Sequence, residues 1–333
     1  MQKSPLVSVV IPCYNEELYI LDCILSLLQN DYKNIEIIVI DGLSNDKTQK
    51  IVTEVQNENS NVNLLHNKKR LTPISLNIGV EAAKGEFIMI AGAHSKYPTN
   101  YISNLMKYFE DDTISLVGGS LKTEVRNKNS KSLAIKTVLS NRFGVGNSYF
   151  RTGVIEPKLV DAVPFGIYRK RVFTKLGTYN EKLIRNHDIE LNKRIINSKG
   201  KILLDSKSEC IYYSRETFDK LAKNNYSNGL WNILTVYITK NIKSLSLRHF
   251  IPLIFIMSIV IPVLIAIALK MPVFYLLSVI SFLSYNLLVV SISIKIKKKT
   301  IRLIHIVISF YILHFSYGMG SIIGLSKLNY LFK

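Results

Sequence analysis

The chain has 333 residues, a net charge of +19 and 48% apolar residues. Such a charge points either to nucleic acid or to an anionic membrane surface. The distribution of apolar residues decides between the two, because residues 250–269, 272–294 and 303–325 form three apolar segments. Each is long enough to cross the hydrocarbon core of a bilayer. We therefore predict membrane lipids as a partner and exclude nucleic acid.

The hydropathy also predicts three regions: a catalytic domain over residues 1–216, a juxtamembrane region over 217–248 and a membrane region over 249–333. In the juxtamembrane region, aromatic and leucine side chains alternate with lysines. This pattern favours amphipathic helices on an anionic inner leaflet, with the lysines reaching the headgroups. An alternative is that the first half of the region packs on the catalytic domain.

The first ninety residues alternate between strand and helix patterns. Short β-branched runs at residues 6–11, 35–40, 62–65 and 86–90 are typical of strands covered on both faces. The intervening segments read as helices, the last of them starting at Pro73. The alternation predicts an α/β fold with a doubly wound, mostly parallel sheet. No dinucleotide or P-loop glycine motif follows a strand, so those two folds are excluded. The expected apolar face of the first helix is formed by Leu18, Leu21, Ile24, Leu25 and Leu28.

The next hundred residues are less regular. We predict a glycine-rich functional loop over residues 140–153 and a helix that Asn186 can cap. The remaining predicted elements are helices at 99–109 and 170–176, strands near 115–119 and 202–204, and an extended segment at 163–168.

Groups able to bind ligands cluster where predicted elements end. Asp41 closes the second strand, Asp46 can cap the following helix, and His94 follows the fourth strand. Asp188 and Glu190 lie in the first turn of a later helix, where negative charge is favoured. Open α/β sheets bind ligands at the carboxyl ends of their strands. A nucleotide-sugar site needs such parts: an acceptor for the uracil imide, a cation for the diphosphate, and a carboxylate base.

Several motifs occur in the order found in family 2 glycosyltransferases of GT-A fold, which the chain resembles from about Val7 to Trp231. The closest likeness is to the exopolysaccharide type that elongates succinoglycan chains. The motifs are Val7-Ser-Val-Val-Ile-Pro-Cys-Tyr-Asn-Glu-Glu17, Asp41-Gly-Leu-Ser-Asn-Asp46, Asn77-Ile-Gly79, Ala82-Ala-Lys-Gly85, Phe143-Gly-Val-Gly-Asn-Ser148, Arg151-Thr-Gly153, Val163-Pro-Phe-Gly-Ile-Tyr-Arg169, Asn186-His-Asp-Ile-Glu-Leu-Asn192 and Gly229-Leu-Trp231.

The resemblance implies roles for individual residues. Asp188 stands at the position of the catalytic base. Contacts to the acceptor or the diphosphate are expected from Arg151, Arg169, His187 and Trp231. The arginines could equally be solvated charges, and the tryptophan an anchor at the membrane interface. Donor-nucleotide contacts are expected from Pro12, Tyr14, Asn15, Glu16, Asp41, Ser44, Asp46, Asn77, Gly92 and Ala93.

The chain departs from the family at two positions. Where the family carries an Asp-x-Asp metal motif, this sequence has Gly92-Ala93-His94, and His187 replaces the usual glutamate before the base. Imidazole is a better ligand for the softer first-row ions than for Mg²⁺. We therefore expect a divalent cofactor held by His94 and the donor diphosphate, with Mn²⁺ more effective than Mg²⁺. Restoring the carboxylate with Gly92→Asp should raise activity with Mg²⁺. The alternative is a metal-independent site in which arginines neutralise the diphosphate.

These features predict a membrane-anchored inverting glycosyltransferase of the hexosyltransferase type. The expected donor is a nucleotide sugar, with a UDP-sugar favoured. The expected acceptor is a lipid-linked saccharide of exopolysaccharide or capsule assembly. The expected location is the inner (plasma) membrane, with the catalytic domain in the cytoplasm. Alternatives are a polyprenyl-phosphate glycosyltransferase, a processive synthase, or an inactive scaffold that binds nucleotide sugars or partner transferases. The sequence Asn224-Asn-Tyr-Ser-Asn-Gly-Leu-Trp231 lacks the Gln-x-x-Arg-Trp motif of processive synthases.

Overall fold

The computed structural model describes residues 4–327 and Asn329. The chain divides into two compact units. The first unit runs to Glu124 and resumes over Tyr149–Tyr213, and the second comprises Val125–Ser148 and the chain from Ser214 onward. The predicted boundary at 216/217 lies near the last of these divisions. The sequence did not indicate that residues 125–148 group with the C-terminal region.

Nine strands of the first unit form one sheet, in the order β3-β2-β1-β4-β8-β6-β9-β5, with β7 paired to β9. Neighbours among β3, β2, β1 and β4 are parallel, and β8 runs antiparallel to both β4 and β6. The predicted α/β fold with a mostly parallel sheet is confirmed. The strands are β1 Val7–Cys13, β2 Ile35–Asp41, β3 Val62–His66, β4 Phe87–Ile90, β5 Ser95–Lys96, β6 Ile114–Glu124, β7 Lys158–Leu159, β8 Ile167–Arg169 and β9 Lys201–Tyr213.

The helices of the chain are α1 Ile20–Leu28, α2 Thr48–Glu58, α3 Thr72–Ala82, α4 Tyr101–Met106, α5 Ser130–Leu139, α6 Arg142–Val145, α7 Tyr149–Thr152, α8 Arg171–Leu176, α9 His187–Asn197, α10 Phe218–Thr239, α11 Ile251–Leu269, α12 Val273–Ile296 and α13 Leu303–Leu325. Short 3₁₀ segments at Lys107–Glu110, Ile242–Ser244 and Leu247–Phe250 complete the helical structure.

The sheet separates two apolar cores. Alternate strand residues face opposite sides, so Ile37 and Val39 join the core with α1, α2 and α4, whereas Ile38 and Ile40 join the core with α3, α8 and α9. The predicted apolar face of α1 was wrong for Leu18, Leu21 and Leu25, whereas Ile24 is buried and Leu28 packs against the core. The buried side chains are Ile20, Cys23, Ile24, Ser26 and Leu27, while Leu18, Leu21 and Leu25 are exposed.

The second unit is helical. α5 and α6 contact α13, and Ala134, Val138, Val289 and Phe310 belong to its core. The glycine-rich segment predicted as one loop over residues 140–153 contains α6 and α7, which belong to different units. The juxtamembrane region begins with one continuous helix, α10, which packs against α13. This packing was not predicted, and the two arrangements expected for the region stay predictions.

In the part of the chain that the structure describes, three helices are long and apolar enough to cross a membrane, over Leu247–Leu269, Val273–Ile296 and Leu303–Leu325. Large apolar side chains on the first two, such as Leu264 and Leu287, are exposed. A surface of this kind is unfavourable in water and suits contact with lipid tails. The three predicted apolar segments are therefore present as three helices.

Candidate active site

A cavity of about 390 Å³ opens in the first unit at the carboxyl ends of β1 and β4. Here the strand order reverses, because the chain leaves β1 toward β2 on one side and reaches β4 on the other. Ligands of open α/β sheets bind at such a switch point. The structure brings eight of the predicted site residues to the cavity wall: Pro12, Tyr14, Glu16, Gly92, Ala93, His94, His187 and Asp188.

Asp188 lies in the first turn of α9, with its side chain exposed at the cavity. The preceding Asn186 adopts a left-handed backbone conformation, with φ of 62°, and its side chain makes no capping hydrogen bond to the helix. The helix terminus therefore directs its partial positive charge toward Asp188 instead of using Asn186 as a cap. This geometry presents a carboxylate to an incoming ligand.

His187 stands beside this carboxylate, and its Nδ1 is 3.2 Å from the carbonyl oxygen of Leu183. Burial lowers the pKa of His187, and the charge of Asp188 opposes this shift only in part. The imidazole is therefore neutral at physiological pH, with Nδ1–H donating to Leu183. The substitution of histidine at this position leaves Asp188 without a second negative charge next to it in sequence.

The other residues expected at the nucleotide brace two loops against each other. The backbone N–H of Asn15 donates to Ser44 Oγ at 2.8 Å, and that of Asn45 donates to Asn15 Oδ1 at 3.0 Å. Burial raises the pKa of Asp46, but hydrogen bonds from Thr48 and from the N–H of Glu17 outweigh it, so the pKa lies below its ordinary value. The loops are thus held together by the side chains expected to bind the donor.

Asp41 is fully buried and does not line the cavity. Its carboxylate accepts hydrogen bonds from Ser44 N at 2.9 Å, Ser44 Oγ at 2.5 Å and Gln49 Nε2 at 2.8 Å. These donors use most of the acceptor capacity of a carboxylate. In this structure Asp41 organises the loop, and a contact between Asp41 and the uracil of a donor requires Gln49 to move.

A metal site with two carboxylates does not fit this cavity. A side chain at Gly92 would place its Cβ 2.5 Å from the ring of Phe165, so Gly92→Asp alone requires the ring to shift. The gain in activity expected from that substitution stays a prediction, and it depends on movement of the Phe165 ring. Among residues 4–327 and Asn329, no group of three His, Cys, Asp or Glu side chains could hold a metal.

A site with one protein ligand does fit. His94 Nδ1 lies 3.0 Å from Glu16 Oε1, and both side chains line the cavity. Protein histidines that bind metals commonly donate their other ring N–H to a carboxylate in this way. His94 is therefore the residue that would hold a cation, with Glu16 orienting its ring.

Four further predicted residues do not line the cavity, namely Asn77, Arg151, Arg169 and Trp231. Trp231 belongs to α10 in the second unit, and Asn77 bonds to the backbone of Tyr179. Arg151 stacks on Tyr212 at 5.3 Å from the ring centre, and its Nη1 is buried without a hydrogen-bond partner among the residues the structure describes.

Arg169 requires a correction. It is 8% exposed, and it donates to the carbonyl oxygens of Ile114 at 3.0 Å and Phe109 at 2.5 Å. It pairs with Phe87, at the amino end of β4 and away from the cavity. Its guanidinium therefore lies at the end of the sheet opposite the cavity and does not face a diphosphate in this structure.

Several polar residues of the cavity were not predicted from the sequence. Arg70 has a left-handed backbone, with φ of 58°, and its guanidinium lies 5.8 Å from the ring centre of Tyr14. Arg70 lies in the lysine-rich turn Asn67-Lys-Lys-Arg70, where no local pattern distinguishes it from a solvated charge. The other missed polar lining residues are Thr72, Ser75, Tyr168 and Tyr179.

The chain is similar to one sequence family, to two characterised relatives and to one solved structure. The sequence model described as glycosyl transferase family 2 matches residues 8–177. The chain is 27% identical over 233 residues to the dolichyl N-acetyl-alpha-D-glucosaminyl phosphate 3-beta-D-2,3-diacetamido-2,3-dideoxy-beta-D-glucuronosyltransferase of Methanococcus voltae, covering 67% of this chain and 71% of that protein. It is 25% identical over 213 residues to the succinoglycan biosynthesis protein ExoA of Rhizobium meliloti, covering 62% and 63% of the two chains. A crystal structure of S. aureus TarS residues 1–349 with UDP superposes with a TM-score of 0.47 at 18% identity, over 68% of this chain and 65% of that chain.

Proposed function

Because this chain belongs to glycosyl transferase family 2, we propose that it transfers a sugar from a UDP-sugar to a lipid-linked saccharide, with inversion at the anomeric carbon. The position of Asp188 carries the proposal. Its exposed carboxylate, at the start of α9, faces the cavity at the switch point of the sheet. A base there can be reached both by a donor bound at the strand ends and by an acceptor arriving from solvent.

In the proposed reaction, the acceptor hydroxyl gives its proton to Asp188 while its oxygen attacks the anomeric carbon. The attack comes from the face opposite the diphosphate, and the bond between the anomeric carbon and the diphosphate oxygen breaks. The products are the lengthened saccharide, with inverted configuration, and UDP. Because Asp188 is exposed, its proton then passes to solvent. General-base assistance of this kind contributes roughly 10²–10⁴-fold to a rate.

The departing diphosphate gains negative charge, and two features of the cavity can stabilise it. Arg70 lines the wall and supplies a permanent cation. A divalent cation on His94 and the diphosphate oxygens would neutralise part of the charge when bound. Arg70 acts without a cofactor, so some activity is expected without metal.

The acceptor and the location are inferred from the relatives and from the apolar helices. The name of the M. voltae enzyme specifies a dolichyl-linked sugar phosphate, and ExoA acts in succinoglycan biosynthesis. Three helices here are suited to a bilayer. A lipid-linked acceptor of exopolysaccharide or capsule assembly at the inner membrane, with the first unit in the cytoplasm, agrees with both observations.

The test is a donor screen in membranes, in which UDP release is measured with and without a short lipid-linked saccharide. We expect one nucleotide sugar to give release that depends on the acceptor. Binding of a nucleotide sugar without release, for every donor and acceptor tried, would instead support the inactive scaffold.

A further inference from the structure

Asn77 holds the backbone of Tyr179 through both halves of its side-chain amide. The N–H of Tyr179 donates to Asn77 Oδ1 at 2.9 Å, and Asn77 Nδ2 donates to the carbonyl oxygen of Tyr179 at 3.0 Å. Nδ2 also lies 3.2 Å from Glu181 Oε1, an exposed contact. The two backbone bonds fix the orientation of the amide, since exchanging its oxygen and nitrogen would break both.

These two backbone hydrogen bonds, called the clamp below, lie on the segment that leads to the candidate base. Tyr179 sits in the irregular stretch between α8 and α9, and it is 3% exposed. Its ring meets His187 edge-on, at 5.6 Å between ring centres. A contact that fixes the backbone of Tyr179 therefore also fixes the position of the first turn of α9.

The side chain of Tyr179 extends the same network into the cavity. The phenol of Tyr179 interacts with that of Tyr168, and both residues line the cavity together with Asp188. Burial is the main cause that raises the pKa of both phenols, and the charge of Asp188 raises each of them further. Both therefore remain neutral hydroxyl groups beside the carboxylate at physiological pH.

We propose that Asn77 is a positioning residue that acts through Tyr179 to hold Asp188 in place for proton transfer, and that it does not bind the donor. This replaces the donor contact expected from the family resemblance. The inference rests on the proposed function, because it assumes that Asp188 is the general base.

The test compares Asn77→Asp with the wild-type enzyme. The substitution keeps the size and the acceptor oxygen but removes the donor group, and it adds a negative charge next to the carbonyl of Tyr179. We expect kcat to fall roughly 10- to 100-fold, as for a catalytic group displaced by about 1 Å, while the donor Kd stays within about threefold. Glu181→Gln is the matched control, because it changes the exposed partner and leaves both backbone bonds. Its kcat should stay within about twofold.

A double-mutant cycle separates positioning from a general loss of structure. In an Asp188→Asn background, Asn77→Asp should lower the residual rate by no more than about twofold, because groups that act as one unit are not additive. Tyr179→Phe, which keeps the clamp and the ring, should lower kcat about fivefold and lose this effect in the same background. It provides the comparison if Asn77→Asp does not fold.

Different failures have different signatures. A weaker donor Kd with unchanged kcat would return Asn77 to the donor site, and multiplicative effects with Asp188→Asn would end the positioning role. A wild-type protein that releases no UDP with any donor would refute the proposed function itself. The clamp can then still be checked by hydrogen exchange, which should accelerate at the amide of Tyr179 in Asn77→Ala, because that substitution removes the acceptor oxygen.

Discussion

The contact between Glu16 and His94 determines what the site can offer a divalent cation. An ionised carboxylate can only accept, so the 3.0 Å contact requires a proton on Nδ1, and the neutral form of the ring then has its lone pair on Nε2. That is the tautomer a metal-binding histidine needs. The diphosphate of the donor must supply most of the other ligands, so metal binding should depend on the donor.

This reasoning predicts that Mn²⁺ binds more tightly in the presence of UDP and supports more activity than Mg²⁺. His94→Ala should remove the donor-dependent Mn²⁺ binding, and Glu16→Gln should weaken it about 10- to 100-fold. Calorimetric titration of Mn²⁺, with and without UDP, measures both. Full activity after exhaustive chelation, together with wild-type behaviour of His94→Ala, would establish the metal-independent alternative.

Single residues were predictable where position along the chain determines exposure. The start of a helix after a loop presents Asp188 to the cavity, and the family resemblance gave this carboxylate its expected role. Asn77 and Arg169 could not be assigned in the same way, because their partners lie far away in the sequence: Tyr179 for the first, and the carbonyls of Phe109 and Ile114 for the second. Polar groups satisfied by distant backbone atoms leave no local pattern.

At the scale of whole elements, α10 and α13 approach each other through glycines. A Cβ at Gly229 would lie 1.9 Å from the carbonyl oxygen of Tyr317, and one at Gly320 would lie 2.0 Å from that of Tyr226. Small residues allow such close backbone contact between helices, and Ser321 Oγ adds a hydrogen bond to the carbonyl of Gly229 at 3.2 Å. The helix after residue 217 is therefore part of a helical bundle.

Gly229→Ala should destabilise this bundle by about 1–3 kcal/mol, because the added methyl group must push the helices apart. Alanine normally favours a helix over glycine by up to about 1 kcal/mol, so the sign of the effect is informative. Thermal unfolding in detergent measures it. Lys223→Ala, at an exposed position of α10, is the control and should have little effect. A Gly229→Ala protein as stable as the wild type would show that the helices do not touch there.

The elements were predicted unevenly for a physical reason. Strands β1, β2 and β4 are buried along almost their whole length, so they appear in the sequence as continuous apolar runs. The last strand, β9, extends to Tyr213 across the polar stretch Asp205-Ser-Lys-Ser-Glu209, where its register with β6 shifts, and pairing with β6 resumes at Glu209. The helix α5 was missed because its capping box at Asn129 and Ser132 lies in a charged, weakly periodic segment. Strand pairing in the first case and helix capping in the second determined these elements, and neither depends on a periodic apolar pattern.

At the scale of the whole molecule, a GT-A type α/β domain accompanied by three apolar helices was predictable, since composition changes sharply near residue 250. The assignment of Val125–Ser148 to the second unit was not, because nothing in its composition distinguishes it from a surface loop. The orientation in the membrane remains a prediction, and it depends on the distribution of lysine and arginine.

The loop between α12 and α13, with the end of α12, carries Lys295, Lys297, Lys298, Lys299 and Arg302, whereas the loop between α11 and α12 has only Lys270. The positive-inside bias places the first loop in the cytoplasm. Three spans then put the first unit inside and the C-terminus outside. Alkaline phosphatase fused after Lys333 should be active, and a fusion at Lys299 should be inactive. Fluorescence from green fluorescent protein fused after Lys333 would contradict this topology.

The central claim is that Asp188 is the base of a glycosyl transfer reaction, and Asp188→Asn tests it most directly. The substitution preserves size and removes the charge that accepts the proton. Turnover and donor affinity are measured on the same membrane preparation, with the donor and acceptor identified by UDP release. The account predicts that turnover falls about 10²–10⁴-fold while donor affinity is nearly unchanged. Retention of more than about a tenth of wild-type turnover would contradict the assignment of Asp188 as the general base.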